Sequence, residues 1–259
     1  MCYLQVSINI TNSVILCVRA DGVRRVWEGY PKMTGFDLKE ARTKLGWTQE
    51  QAASALGLTQ AYLSMVEVGH RRVSARVLQR AREVFDLPPA GLPLDAETSH
   101  SMNADEFKSE LGALGYPGFS YLRGKPTKNP ALLLFEALGQ AELDTRVVEA
   151  LPWLASKYEL RWDWLVPQAK KCDLQNRLGF VVTVAKDLAA RHQESSRANK
   201  LAEAQATLER GRLAREDTLC HESMTNAERR WLQQDRPEQA RHWNLLTDLE
   251  LDNLPYAAA

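Results

Sequence analysis

Gln60 carries a planar amide that offers a donor and an acceptor along one edge, and Ser64 follows with a hydroxyl about one helical turn later. Ala61 and Met65 would add apolar surface on the same side. Arg71 and Arg72 stand a few residues beyond. The chemistry open to such a set is recognition. An amide so placed can grip N6 and N7 of adenine, and Ala61 and Met65 can touch a thymine methyl. A pair of guanidiniums suits phosphate. Plainer readings stand beside these: Met65 and Tyr62 as half-buried packing residues, Arg71 and Arg72 as solvated charges, and Glu67 as an ion-paired structural residue.

The elements that must hold these side chains are four short helices within residues 36–86. Leu38, Ala41 and Leu45 share one face of the first, and Gly46 stops it. Thr48 and Gln51 have the spacing of a capping box, which starts a second helix that runs to Leu56 and ends at Gly57. Thr59 caps the third, closed by Gly69. Ser74 caps the fourth, with Val77, Leu78, Ala81 and Phe85 on one side, and Pro88 and Pro89 forbid its continuation. Only Gly57 and Leu58 separate the second helix from the cap of the third. With Ala52, Leu56, Leu63 and Val66 facing a shared core, that spacing forces a sharp turn between two helices.

The string from Trp47 to Gly69, WTQEQAASALGLTQAYLSMVEVG, resembles the phage-repressor and Cro-like (XRE-type) helix-turn-helix family. The resemblance spans about 33–89, a fifth of the chain. It implies double-stranded DNA as the partner, with Gln60, Ala61, Ser64 and Met65 facing bases from the third helix in a major groove. Gln49, Thr59, Tyr62, Arg71 and Arg72 would contact phosphate, and Gln49 would also brace Gln60. Family members commonly dimerise on palindromic operators. One departure is Met65, where many members carry a basic or amide residue; its presence narrows the polar readout to Gln60 and Ser64 and gives DNA shape a larger share.

Charge fits a site of this size. The chain has 33 basic and 33 acidic residues, so no general basic coat exists. Within 33–89 eight basic residues face six acidic ones, a net +2. Weak non-specific affinity and two domains per operator, hence a homodimer, are the expectation.

The rest of the chain is expected to be mainly α: a four-to-five-helix repressor-like domain, then a second, all-helical domain, then a helical C-terminal tail. Residues 1–32 are β-prone and unlike the rest of the chain, either an arm or an extension ahead of a true start at Met33. Residues 33–89 form the helix-turn-helix domain, and 90–128, richer in Gly, Pro and Ser, a linker. A small helical domain occupies 129–192, opened by Asn129 and Pro130, with helices near 131–139, 144–158 and 173–192. Trp153, Trp162 and Trp164 cluster ahead of the last of these. Residues 193–217 read as an exposed connecting helix, and Thr225 and Glu228 form a second capping box. The end of the chain alternates acidic and apolar. It suits burial against a partner through Trp231, Trp243, Leu249, Leu251, Leu254 and Tyr256.

Other chemistries find little support. Gly118 to Lys125 has the outline of a phosphate loop, but five residues rather than four part its glycines, and Pro126 stands where Ser or Thr is required. Cys2, Cys17, Cys172 and Cys220 are scattered, as free thiols of a reducing cytosol would be. Cys220 and His221 have no second pair at ligand spacing, so no metal and no cofactor is expected. No apolar run reaches the about 18 residues of a membrane span. The reading is thus a cytoplasmic, non-enzymatic transcriptional repressor or autoregulator. The alternatives are an antitoxin whose C-terminal region binds a toxin, or a one-component regulator whose C-terminal domain senses a ligand.

Overall fold

The computed structural model describes residues 17–18, 24–25, 34–85, 89–92, 94, 102–122 and 124–257. Two short strands, β1 (Cys17–Val18) and β2 (Arg24–Arg25), pair antiparallel. The rest of the N-terminal extension, with the expected start at Met33, lies outside the described residues. Compact packing divides the chain into one unit of residues 1–101 with 127–129 and another of 102–126 with 130–259.

In the first unit, α1 (Gly35–Lys44), α2 (Gln49–Leu56), α3 (Gln60–Glu67) and α4 (Ala75–Val84) enclose a core of Leu38, Ala52, Leu56, Leu63, Val66, Val77, Leu78, Ala81 and Phe85. Each helix starts on a side-chain cap. Thr34, Thr48, Thr59 and Ser74 accept bonds from the main-chain N–H groups of Asp37, Gln51, Tyr62 and Val77, satisfying donors that have no partner inside the helix. Trp47 packs edge-on against Phe85 with ring centroids 5.9 Å apart. Leu45 departs from expectation: it caps the end of α1 and is exposed rather than sharing the buried face of Leu38.

α1 and α3 meet at Gly35. A β-carbon there would lie 1.6 Å from the carbonyl oxygen of Val66, so only glycine lets the two backbones approach this closely.

The second unit is built on α9 (Gln175–Arg191), which buries side chains all round its first three turns. Against it pack α7 (Thr145–Lys157), α8 (Trp162–Lys171) and α10 (Ser195–Glu209), while α5 (Ala104–Ala113) packs on α7 and α6 (Pro130–Leu138) on α7 and α8. After them come β3 (Asp217–Thr218), α11 (Asn226–Asp235), α12 (Glu238–His242) and β4 (Leu245–Leu246), the two strands pairing in parallel.

This arrangement corrects three expectations. The segment read as linker contains α5, opened by a capping box of Asn103 and Glu106. The stretch after 193 is not an exposed connector, because Leu201, Ala204 and Leu208 form a narrow apolar stripe buried in the unit. The C-terminal tail is not a free partner-binding segment either. Trp243 is wholly buried against Gly179, with its indole N–H donating to the Thr183 hydroxyl at 2.8 Å. Tyr256 closes an aromatic group with Tyr116 and Trp153 and donates its hydroxyl to the Glu149 carbonyl. Leu254 is buried, Leu249 and Leu251 are half-buried, and of the six residues marked for a partner only Trp231, 52 % exposed, stands out on the surface.

At the centre of this unit Arg177 is buried. Its guanidinium donates to Asp217 at 2.9 Å, to Glu222 at 3.3 Å and to the carbonyls of Leu138 and Gln140 at 3.0 and 2.9 Å. A cation taken out of water is stable only when so fully partnered.

Candidate nucleic-acid interface

The turn between α2 and α3 rests on three residues. Gly57 takes a left-handed backbone (φ +70°) and ends α2. Leu58 alone intervenes, half-buried against the core. Thr59 then adopts an extended backbone and caps α3. The second helix is fixed at its other end by the reciprocal box. The Thr48 N–H donates to the Gln51 side-chain oxygen at 2.8 Å, and the Gln51 N–H donates to the Thr48 hydroxyl at 3.2 Å.

Helical periodicity turns Leu63, Val66 and Glu67 of α3 inward. The opposite arc carries Gln60, Ala61 and Met65, all exposed, and Ser64, half-buried. Thr59 is exposed at the mouth of the helix. Tyr62 is half-buried and packs on the core, so its plainer reading holds for the ring. Arg71 and Arg72 lie exposed past the C-terminal end, where the Arg71 N–H donates back to the Met65 carbonyl at 3.1 Å. The structure thus sets Gln60, Ala61, Ser64 and Met65 on one side of α3, with Thr59, Arg71 and Arg72 at its two ends and Gln49 on α2 joined to it through Gln60.

A line of hydrogen bonds runs from the interior to that surface. The Arg42 side chain donates its Nε to Glu67 Oε1 at 2.7 Å and an Nη to Glu67 Oε2 at 3.0 Å. Its other Nη donates to the Trp47 carbonyl at 2.7 Å. The Glu67 side chain is 1 % exposed and that of Arg42 13 %. Gln49 donates its amide nitrogen to Glu67 Oε2 at 2.9 Å, and Gln60 donates its own to the Gln49 amide oxygen at 2.7 Å. Burial alone would raise the Glu67 pKa, but the bonds from Arg42 and Gln49 outweigh it and hold the carboxyl below its ordinary value. Glu67 is therefore the ion-paired structural residue of the plainer reading, and Gln49 braces Gln60 as the resemblance implied.

Residues 38–92 match the family model described as helix-turn-helix. The segment is of the phage-repressor and Cro-like kind, and the match supports a DNA-binding regulator. No curated protein and no solved structure matches the chain.

What sequence reasoning missed around the helix-turn-helix is Arg42 and the contact of Glu67 with Gln49. Arg42 and Glu67 are 25 residues apart, and nothing local marks them as partners. Elsewhere, the stretch with the outline of a phosphate loop begins in a tight turn where Gly118 presses on the ring of Tyr116, so that glycine serves packing. Cys220 is buried, with its thiol pushed up to about 11 by desolvation, while His221 is exposed beside it. Among the described residues no group of three or more His, Cys, Asp or Glu is placed to hold a metal ion. No helix among them is long and apolar enough to cross a membrane.

Proposed function

We propose that the protein is a sequence-specific transcriptional repressor or autoregulator that lays α3 in the major groove of a palindromic operator and binds as a homodimer. The observation that carries this reading is Gln60. It stands exposed at the start of α3 with one amide N–H donated to Gln49, which leaves the other N–H and the carbonyl oxygen for a base edge, the pair that adenine N6 and N7 require. Ala61, Ser64 and Met65 would extend the base-facing surface. Gln49, Thr59, Tyr62, Arg71 and Arg72 would flank it with phosphate contacts. The small net charge of the segment supports two copies per site, since a +2 surface releases few counterions by itself.

Gel-shift titration against operator and random duplex tests this. Gln60→Ala is expected to weaken operator binding by about 1–3 kcal/mol while leaving random-duplex binding in place. Arg71→Ala is expected to weaken binding to both and to flatten the salt dependence. Operator affinity unchanged in Gln60→Ala would mean that α3 does not read the bases, and tight low-salt binding by one copy would remove the dimer.

A further inference from the structure

We propose that the second unit docks an extended, basic segment of a partner protein, which adds as a strand along residues 248–250. The groove that receives it has a volume of about 660 Å³ and lies between the C-terminal half of α9, the start of α12 and the run 249–252. Val184, Leu249 and Leu251 give it an apolar lining. Asp187, Glu238, Glu250 and Asp252 give it an acidic one, against a single cation, Arg191. Arg191 is already bonded to Asp252, and Lys186 stands 3.7 Å from Asp187. Glu238 and Glu250 are exposed and have no ion-pair partner among the described residues. Four carboxylates against one guanidinium repel phosphate, so this surface does not suit nucleic acid. Its complement is a chain that carries Lys or Arg.

The backbone indicates the shape of that chain. Beyond β4 the polypeptide stays extended, with φ −122° and ψ 147° at Glu250. Leu249 and Leu251 are half-buried while Asp248, Glu250 and Asp252 are exposed, the alternation of a strand with one covered face. The Leu249 N–H donates to the Thr247 hydroxyl at 3.2 Å. The main-chain N–H groups of Asp248 and Glu250 have no hydrogen-bond partner among the described residues. Two residues apart in an extended chain, they point to the same edge. Such an edge is a template for an added strand. Buried Trp243 and Leu254 pin the run on either side, so little ordering cost remains when the partner arrives. Alternate side chains of a strand recur about every 6.8 Å, the spacing of Asp248 and Glu250, so a segment alternating basic with apolar residues matches both charge and period.

Selection from a displayed random peptide library on the full-length protein, counter-selected on Ala190→Trp, tests this. Ala190 is an exposed residue of α9 that lines the groove, so tryptophan there blocks the groove without entering the core. The expected survivors alternate Lys or Arg with Val, Ile or Leu. One survivor, synthesised and labelled for fluorescence anisotropy, should bind about 2- to 30-fold more weakly to the double variant Glu238→Gln, Glu250→Gln, the worth of two exposed ion pairs. Hydrogen exchange should show the amides of Asp248 and Glu250 protected in the complex. Circular dichroism confirms that each variant is folded; should Ala190→Trp not fold, the double variant takes its place in the counter-selection. Survivors without basic residues, or binding equal in the parent and both variants, would overturn the groove. Binding without protection at 248 and 250 would overturn strand addition. A monomer–dimer equilibrium in sedimentation that Ala190→Trp abolishes would make the occupant a second copy, and displacement of the peptide by an equal concentration of spermine would make it a small cation; either result counts against the proposal. The helix-turn-helix takes no part in this test, so its outcome is independent of whether α3 reads bases.

Discussion

Replacing Gly35 by alanine sets two effects of opposite sign against each other. Alanine is a better helix former than glycine by up to about 1 kcal/mol, so local propensity predicts a more stable α1. The tertiary structure predicts the reverse. The new β-carbon would lie 1.6 Å from the Val66 carbonyl oxygen, 2.4 Å from its carbon and 2.9 Å from the Glu67 nitrogen. These are main-chain atoms of α3 and cannot rotate aside. To restore ordinary contact the two helices must part by about 1.5–2 Å. A movement of that size would carry the 2.7 Å bond between Arg42 and Glu67 out of hydrogen-bond range and loosen Leu38 and Val66 in the core. Overpacking typically costs about 1–3 kcal/mol, and an immovable backbone puts this case at the upper end. The expected net loss is about 2 kcal/mol, which hydrogen exchange would register as amides of 35–85 exchanging about 30-fold faster. Exchange reads this unit in the intact protein without requiring both units to melt together. Lys39→Ala, on the exposed side of α1, serves as control and should stay within about 0.5 kcal/mol. Exchange in Gly35→Ala equal to or slower than in the parent would refute the close approach and leave propensity as the deciding effect.

Acid should loosen the same unit. Glu67 is held below its ordinary value of 4.5, so the stability it contributes is fully present above that pH and is lost as pH falls through the lowered folded value. Hydrogen exchange in 35–85 followed from pH 6 to pH 3 (about the span in which a glutamate titrates) should show this loss, and Glu67→Gln should flatten it; an equally steep profile in the variant would assign the effect elsewhere. In the second unit, Trp243→Ala should cost about 3–5 kcal/mol, read by denaturant titration, because it empties a wholly buried site and removes the indole donor to the Thr183 hydroxyl, which keeps its own bond to the Gly179 carbonyl. Gly179→Ala should act on the same contact, since its β-carbon would lie 2.3 Å from the Trp243 ring, and an unchanged melting temperature would contradict that packing. Ending the chain after Asn253 removes buried Leu254, Tyr256 and Ala257, and lowered solubility and melting temperature are expected; a fully stable truncated protein would restore the tail to a surface role.

The parts legible in the sequence were those whose causes are local. Thr48, Thr59, Ser74 and Thr225 announce helix starts because a cap bonds to main chain only two or three residues on. Gly57 announces the turn because the left-handed backbone there favours glycine. The outward arc of α3 comes from period alone once the start of the helix is known. The Asn103 and Glu106 box was equally readable, but it lay among Gly, Pro and Ser residues that drew the whole stretch toward a linker. The helix α8 was not expected at all: Pro167 sits inside it, and the left-handed residue beyond its end is Asp173 rather than glycine. Likewise α9 and α12 stop at Gln193 and Asn244, both at positive φ. Alternation of acidic and apolar residues near the C-terminus says that one side is covered, but not by what, and here the cover is the chain's own core. Nothing local foretells the approach of Gly35 to Val66, or the pairing of Arg42 with Glu67.

Arg177 has a consequence for the order in which the chain matures. Two of its partners, the carbonyls of Leu138 and Gln140, precede it by 39 and 37 residues, while Asp217 and Glu222 come 40 and 45 residues after it. On a ribosome, α9 therefore emerges with its guanidinium half-satisfied. Burying it at that moment would strand a cation, so the helix must stay hydrated until the later carboxylates arrive. The helix-turn-helix is under no such constraint, because its deepest ion pair spans 25 residues and is complete once Glu67 has been made. At about 5–20 residues per second, the helix-turn-helix unit can be folded about 7–30 seconds before the second unit is able to close. During synthesis the nascent chain would then pass through an interval in which a finished helix-turn-helix is tethered to an unfinished second unit.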